Sequence, residues 1–385
     1  MASLLSPFFL RDLEAPGAVS AVGKEHASAA GDIVLLATGP DVKSIQMAKN
    51  TMRMLRGLSL LPHTVLLADS IETCNSIGYS GCYWSSRIIL NPPSASVTLT
   101  KFWDWRFKFY YIKKKLMARF VGAGYGVLQC DTDTVWQFNP FPALRSMPSS
   151  VVLQYDRPFA NAGIMYARPG DAASMLLNEL AYRIQLVQNR PDDAVPRIVS
   201  FAKKAPFYGN TDDQTALNDV ILSLALGNRS FLGSLARFEA SNRYKPSGPE
   251  WHAIEESRLH IEQIRKTQSL FKMSSVVLPW VPNTRHKYSC VPVAGTSDSV
   301  AIAPPMLFGH LPVKPKTGIA HLAGVSGFSA KTAHLKRIGA WNPDINGTWT
   351  PPTGERQAAP QNAEKHSGKR PARKRGKGNN HQLPS

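Results

Sequence analysis

The first sustained pattern in the chain is a short apolar run, Asp32-Ile33-Val34-Leu35-Leu36-Ala37, ended by Thr38-Gly39-Pro40. An unbroken apolar run bounded by a turn is what a strand buried on both faces needs. From 41 to 58 the spacing of Ile45, Met47, Met52 and Leu55 becomes helix-like. Thr64-Val65-Leu66-Leu67-Ala68-Asp69 then repeats the strand pattern. Strand, helix, strand at this spacing predicts a βαβ unit and so a parallel sheet.

Further on, Arg87-Ile88-Ile89-Leu90 reads as a third strand before an Asn91-Pro92-Pro93 turn. A long helix is predicted from about Trp103 to Val121, ended at Gly122-Ala123-Gly124, where glycine supplies a left-handed cap. Gly126-Val127-Leu128-Gln129-Cys130 is the next strand and runs straight into Asp131. Residues 150–154 and 163–167 are two more short strands, and helices follow over 171–188 and 213–226. Between 229 and 305 helical spacing (Trp251 to Phe271) mixes with extended spacing (Ser275 to Trp280).

Composition narrows the class. The 385 residues, 43% hydrophobic, suffice for one large α/β domain or two ordinary ones. Net charge is +18, but an excess of six lies from Glu364 onward in a Pro-, Gly- and Lys/Arg-rich tail with no core-forming pattern. Residues 1–30 read as a loose leader, 31–345 as the folded domain with halves at 31–160 and 161–345, and 346–385 as a disordered basic tail. The basic tail raises a nucleic-acid partner, yet no RNA or DNA motif accompanies it. Four scattered cysteines exclude a zinc site or disulfide framework, although Cys74 and Cys82 could bridge in an oxidising compartment. No stretch approaches the ~18 apolar residues of a membrane span. Leu4 to Leu10 is short for a signal core, and no anchor or signal is visible in the sequence as given.

The chemistry-bearing segment is Asp131-Thr132-Asp133. Two carboxylates one residue apart at a strand end can face one hard divalent cation, magnesium or manganese, that neutralises a diphosphate. The alternative is a polar turn after a buried strand.

Its surroundings decide how far to take this. Gly124-Tyr125-Gly126-Val127-Leu128-Gln129-Cys130-Asp131-Thr132-Asp133-Thr134-Val135-Trp136, with Pro140 beyond, resembles the Asp-x-Asp block of the nucleotide-diphospho-sugar transferases. This plant and algal family contains rhamnogalacturonan-II xylosyltransferases and extensin arabinosyltransferases. Asn161-Ala162-Gly163, Asp212-Asp213-Gln214 and a closing segment of His321, Gly324, Lys331, Arg337 and Gly339-Ala340-Trp341 follow in the family's order. The resemblance spans roughly 32–342 and implies a GT-A fold: α/β, with a Rossmann-like, mostly parallel central sheet and helices on both faces. It implies a retaining transferase moving a sugar, a pentose or galactose, from a UDP-sugar to a glycan or glycoprotein with Mn2+ or Mg2+. It also implies a Golgi location.

Carried over residue by residue, Asp131, Asp133 and His321 hold the metal, with His310 the rival for the imidazole. Asp131, Asp133, Gly163, Gly324, Gly327 and Lys331 would hold the donor diphosphate, Lys113 would reach the donor, and Thr38 would sit by the base. Asn161, Asp213 and Gln214 would lie at the reacting sugar, where Asp213 could equally be a helix N-terminal residue. Of Lys113-Lys114-Lys115 at least one must be solvated on a helix. The Trp103 to Phe107 cluster reads as packing. The competing readings are a nucleic-acid-binding protein and a catalytically silent relative kept as a binding module.

Overall fold

The structure is a computed structural model and describes residues 11–89, 104–156, 159–189, 213–228, 253–325 and 327–351. The βαβ unit is β1 (Asp32–Thr38), α2 (Val42–Gly57) and β2 (Thr64–Ala68), preceded by α1 (Ala18–His26). α3 (Ile71–Ile77), β3 (Cys82–Trp84), the short α4 (Ser86–Ile89), α5 (Asp104–Gly122) and β4 (Gly126–Cys130) follow. These four strands are parallel, in the order β3-β2-β1-β4. The chain builds outward from β1 to β3, then returns to lay β4 on the other side of β1. The loops after β1 and β4 therefore diverge and leave a crevice at their C-terminal ends, where open α/β sheets take ligands.

Beyond β4 come β5 (Thr134–Trp136), α6 (Phe141–Ser146), β6 (Val151–Tyr155), β7 (Ala160–Ala167) and α7 (Asp171–Asn189). Then follow α8 (Asp213–Leu226), α9 (Ala253–Leu270), β8 (Lys272–Leu278), β9 (Val281–Pro292) and β10 (Ser299–Ile302). The large sheet continues β4-β7-β6-β10-β9-β8, and only β7 and β9 of its nine strands run against the rest. A second sheet, ordered β11-β12-β5, joins β11 (Phe308–Gly309) and β12 (Ile319–His321), before α10 (Phe328–Arg337).

Alternation along β1 supplies both faces of the core. Ile33 and Leu35 pack with Phe120 of α5 and Leu177 of α7, while Val34 and Leu36 pack with Met52 of α2 and Leu144 of α6. This is the expected α/β architecture, a mostly parallel sheet with helices on both faces. Among the described residues no helix is long and apolar enough to cross a membrane.

Several expectations need correction. Residues 87–89 belong to the helical turn α4, and the third strand is β3, seven residues before Leu90's predecessor Ile89 at its start. The segment 11–30 is not loose: Leu13, Val19 and Val22 are in the core and Asp12 bridges to Trp84. The start of the expected tail is also packed. Arg53 of α2 donates to the carbonyls of Ala340 (3.1 Å), Asn342 (2.9 Å) and Thr348 (2.6 Å). Its guanidinium lies 5.0 Å from the Trp349 ring centre, and Trp349 Nε1 donates to the Trp136 carbonyl at 3.0 Å. Leu4 to Leu10, the Asn91-Pro92-Pro93 turn, Trp103 with the side chains of its cluster, Asp212 and the tail from 352 onward lie outside the described residues. Cys74 and Cys82 form a disulfide that ties α3 to β3.

Candidate active site

Asp131 and Asp133 link the two sheets, because β4 ends at Cys130 and β5 begins at Thr134. β12 runs antiparallel to β5 with His321 opposite Thr134, and Leu322 N donates to the Asp133 carbonyl at 3.0 Å. That register delivers the imidazole to the Asp-x-Asp turn: His321 Nε2 lies 3.3 Å from Asp133 Oδ1 and 3.8 Å from Asp131 Oδ2. One ligand atom from each of the three residues lies within 4.8 Å of the others, a donor set that fits one divalent cation. His321 Nδ1 is fixed by Gln154 Oε1 at 3.1 Å, which leaves Nε2 for the carboxylates. His310 follows β11, one strand further out, and its Nε2 contacts the Tyr155 carbonyl at 2.5 Å. It lines the cavity without joining the cluster.

Gly163 is part of this geometry. Asp131 N donates to its carbonyl at 2.7 Å, and a Cβ there would run into the His321 ring and lie 2.8 Å from Asp131 Oδ2 and from Asn161 Oδ1. Each carboxylate also holds a lysine: Lys113 Nζ is 2.8 Å from Asp131 Oδ1, and Lys331 Nζ is 2.5 Å from Asp133 Oδ2. Burial opposes the Asp133 carboxylate, but the His321 ring and Lys331 outweigh it and hold its pKa well below the ordinary range. Burial likewise opposes a charged His321, and Asp133 and Asp131 outweigh it, raising its pKa.

Two cavities meet at this pair. The first, about 540 Å³, extends past Asn161, Gly163, Asp213, Gln214, Ala323 and Gly324. There Asn161 Nδ2 donates to Gln214 Oε1 (2.9 Å) and Asp156 Oδ2 (3.2 Å), and Gln214 Nε2 donates to the same Asp156 oxygen at 3.0 Å. Asn161 Oδ1 accepts from Gly163 N at 2.7 Å, so the strand residue and the helix residue are held by one network. The second cavity, about 710 Å³, runs from Asp131 and Asp133 past Lys113, Lys331 and Gly327 to Thr38 at the end of β1. Thr38 is buried, and its hydroxyl faces the Gly39 carbonyl at 3.4 Å. Gly324 and Gly327 have φ of +84° and +83°, a region open to glycine at no steric cost. Gly327 caps α10 without a side-chain acceptor, so the first-turn amides stand beside Lys331.

Sequence reasoning missed four members. Gln154 orients His321, Asp156 ties Asn161 to Gln214, and Gln129 and Lys114 form the floor. Lys114 is wholly buried, with Nζ at 2.5 Å from Gln129 Oε1, 2.8 Å from the Ala162 carbonyl, 3.0 Å from Met165 Sδ and 3.6 Å from Asp213 Oδ2. The signal was in the helix. Lys113-Leu116-Phe120 and Lys114-Met117-Val121 each follow the i, i+3, i+7 stripe of the core face, which leaves Lys115 as the more exposed of the three.

Residues 64–223 match the family model described as nucleotide-diphospho-sugar transferase. A search of curated proteins finds no match. Among solved structures, the chain is similar to the apo form of the glycosyltransferase GlyE of Streptococcus pneumoniae TIGR4, at 13% identity and a TM-score of 0.28. That alignment covers 61% of this chain and 51% of GlyE, so the chain spans about half the length of that protein. It is also similar to mouse xyloside xylosyltransferase 1 in its apo form, at 12% identity and a TM-score of 0.24 over 55% of this chain and 81% of that one. Likenesses at these scores carry no argument. The family match runs from β2 through the Asp-x-Asp turn into α8, 160 of the 385 residues, and over that stretch the chain is similar to the nucleotide-diphospho-sugar transferases.

Proposed function

We propose that the protein is a metal-dependent, retaining glycosyltransferase that moves a sugar from a UDP-sugar to a glycan or glycoprotein. The observation that carries the reading is the convergence of Asp131, Asp133 and His321 on one point between two cavities. When bound, a manganese or magnesium ion would supply positive charge to the donor diphosphate and so stabilise it as a leaving group. The chain's own groups do the rest. The second cavity takes the nucleotide, with the base toward Thr38. Lys113, Lys331 and the first-turn amides of α10 stand beside the diphosphate, the amides acting as a helix N-terminal anion site. Gly163, Gly324 and Gly327 leave the diphosphate room against the backbone.

The first cavity takes the sugar, a pentose or galactose, with Asn161, Gln214 and Asp213 on its wall. The amide network presents fixed dipoles there, and Asp213 presents a carboxylate for the developing positive charge at the anomeric carbon. In this reading 31–160 is the nucleotide-sugar-binding half and 161–345 the acceptor and catalytic half, which also sends His321, Gly324, Gly327 and Lys331 to the diphosphate. The Cys74–Cys82 disulfide supports an oxidising compartment, in keeping with the Golgi lumen.

Lys113 and Lys331 already neutralise the two aspartates. A bare divalent ion would therefore meet a site with its charge already balanced, whereas a metal–diphosphate complex brings phosphate oxygens for both lysines. Titration calorimetry with UDP and manganese, followed by hydrolysis assays over a panel of UDP-sugars, tests the proposal. Manganese-dependent UDP binding that disappears in Asp131→Asn and Asp133→Asn supports it. Binding unchanged in both variants, or none in the wild type, removes it.

A further inference from the structure

Lys114 is the one charged group of the site floor to which the scheme above gives no task. Taking an ammonium fully out of water is costly, and packing alone would be met at this position by methionine or leucine. The lysine is retained where four elements meet. Gln129 of β4 and Ala162 and Met165 of β7 fix its nitrogen from neutral acceptors, and the charge it faces is Asp213, the first residue of α8. Asp213 in turn borders the first cavity beside Gln214. Lys114 itself is absent from the cavity wall, so it lies behind Asp213 as seen from the ligand.

We infer that Lys114 is a positioning residue that acts through Asp213, holding this carboxylate ionised and turned toward the transferred sugar. The inference rests on the reading of Asp213 as a sugar-facing group. Charge balance agrees with it: burial and the neighbouring Lys113 push the Lys114 pKa down to about 8, while Asp213 and Asp131 pull it back. The two carboxylates therefore help keep the Lys114 ammonium charged where burial alone would favour its neutral form.

The variant is Lys114→Met in the full chain, near in volume and without charge. Carboxyl NMR of the metal-free protein, with the Asp213 signal identified by its loss in Asp213→Asn, should show Asp213 titrating about one pH unit higher than in wild type. With whichever of UDP-xylose, UDP-arabinose, UDP-galactose and UDP-glucose the wild type hydrolyses fastest, kcat should fall about 100-fold. Manganese-dependent UDP affinity should stay within about threefold, a change of well under 1 kcal/mol. The double variant with Asp213→Asn should be no slower than the slower single one. An unmoved Asp213 titration, a near-wild-type kcat in folded Lys114→Met, or multiplicative losses in the double variant overturn the inference. Should Lys114→Met fail to fold, ammonium NMR of Asp213→Asn decides. Lys114 must then titrate below its wild-type value, and an unchanged value overturns the pairing. A wild type that does not bind UDP with manganese at all removes the functional reading instead, and leaves the two NMR results to judge the pair.

Discussion

At Gly163 the site is limited by a single hydrogen atom. A methyl group there would meet the His321 ring, the Asn161 amide and the Asp131 carboxylate together, so the Asp131–Asp133–His321 cluster and the Asn161–Gln214 network share that clearance. Gly163→Ala should fold, since β7 is held by long ladders on both sides, but weaken manganese-dependent UDP binding about tenfold or more by calorimetry. The histidine carries a second residue-scale expectation. Its folded pKa is raised above the ordinary 6.5, so in metal-free protein it contributes stability that is full below that value and is lost as pH rises through the folded pKa. Asp133 has the opposite sign: its contribution is present above 3.8 and lost as pH falls through its depressed value. A proton and a metal compete for the same His321 nitrogen. Affinity for UDP with manganese should therefore climb with pH up to the folded pKa and level off above it, while metal-free melting temperature declines from about 6.5 up to that pKa. His321→Ala should flatten both curves and His310→Ala neither, as paired calorimetry and thermal scans would read.

Elements decide what single residues cannot. The small sheet is built from strands of two or three residues, too short for any periodicity to announce, yet its β5/β12 register is what brings His321 to Asp133. The same limit applies at both chain ends. Residues 11–30 and 342–351 lack a repeating pattern, and their order comes from isolated anchors such as Leu13 and Trp349. Truncation separates the two parts of the expected tail. Ending the chain after Pro351 should leave the melting temperature within a degree or two, as for surface changes. Ending it before Gly347 removes the Trp349 contacts with Arg53 and Trp136 and should cost roughly 1–3 kcal/mol, several degrees in a thermal scan. Equal melting temperatures for the two truncations would show that Trp349 does not pack.

For the molecule as a whole, the continuous apolar runs of β1, β2 and β4 made the parallel half of the sheet legible, and the Asp-x-Asp turn at the end of β4 located the crevice. What was not legible has a common cause. Gln129, Gln154 and Lys114 are polar side chains on elements whose local pattern is apolar, Asp156 directly follows β6, and each has a partner dozens of residues away. The contacts of Arg53 reach furthest of all, nearly three hundred residues along the chain. Their consequence is kinetic. α2 lines the second cavity with Ser44 and Met47, and α10 lines it with Phe328 and Lys331. Arg53 fastens the strand of chain that leaves α10 onto α2, so the mouth between them cannot widen without undoing three hydrogen bonds at once. Nucleotide should then enter and leave through rare openings, and Arg53→Met should shorten the residence time of bound UDP about tenfold in stopped-flow displacement without slowing its entry.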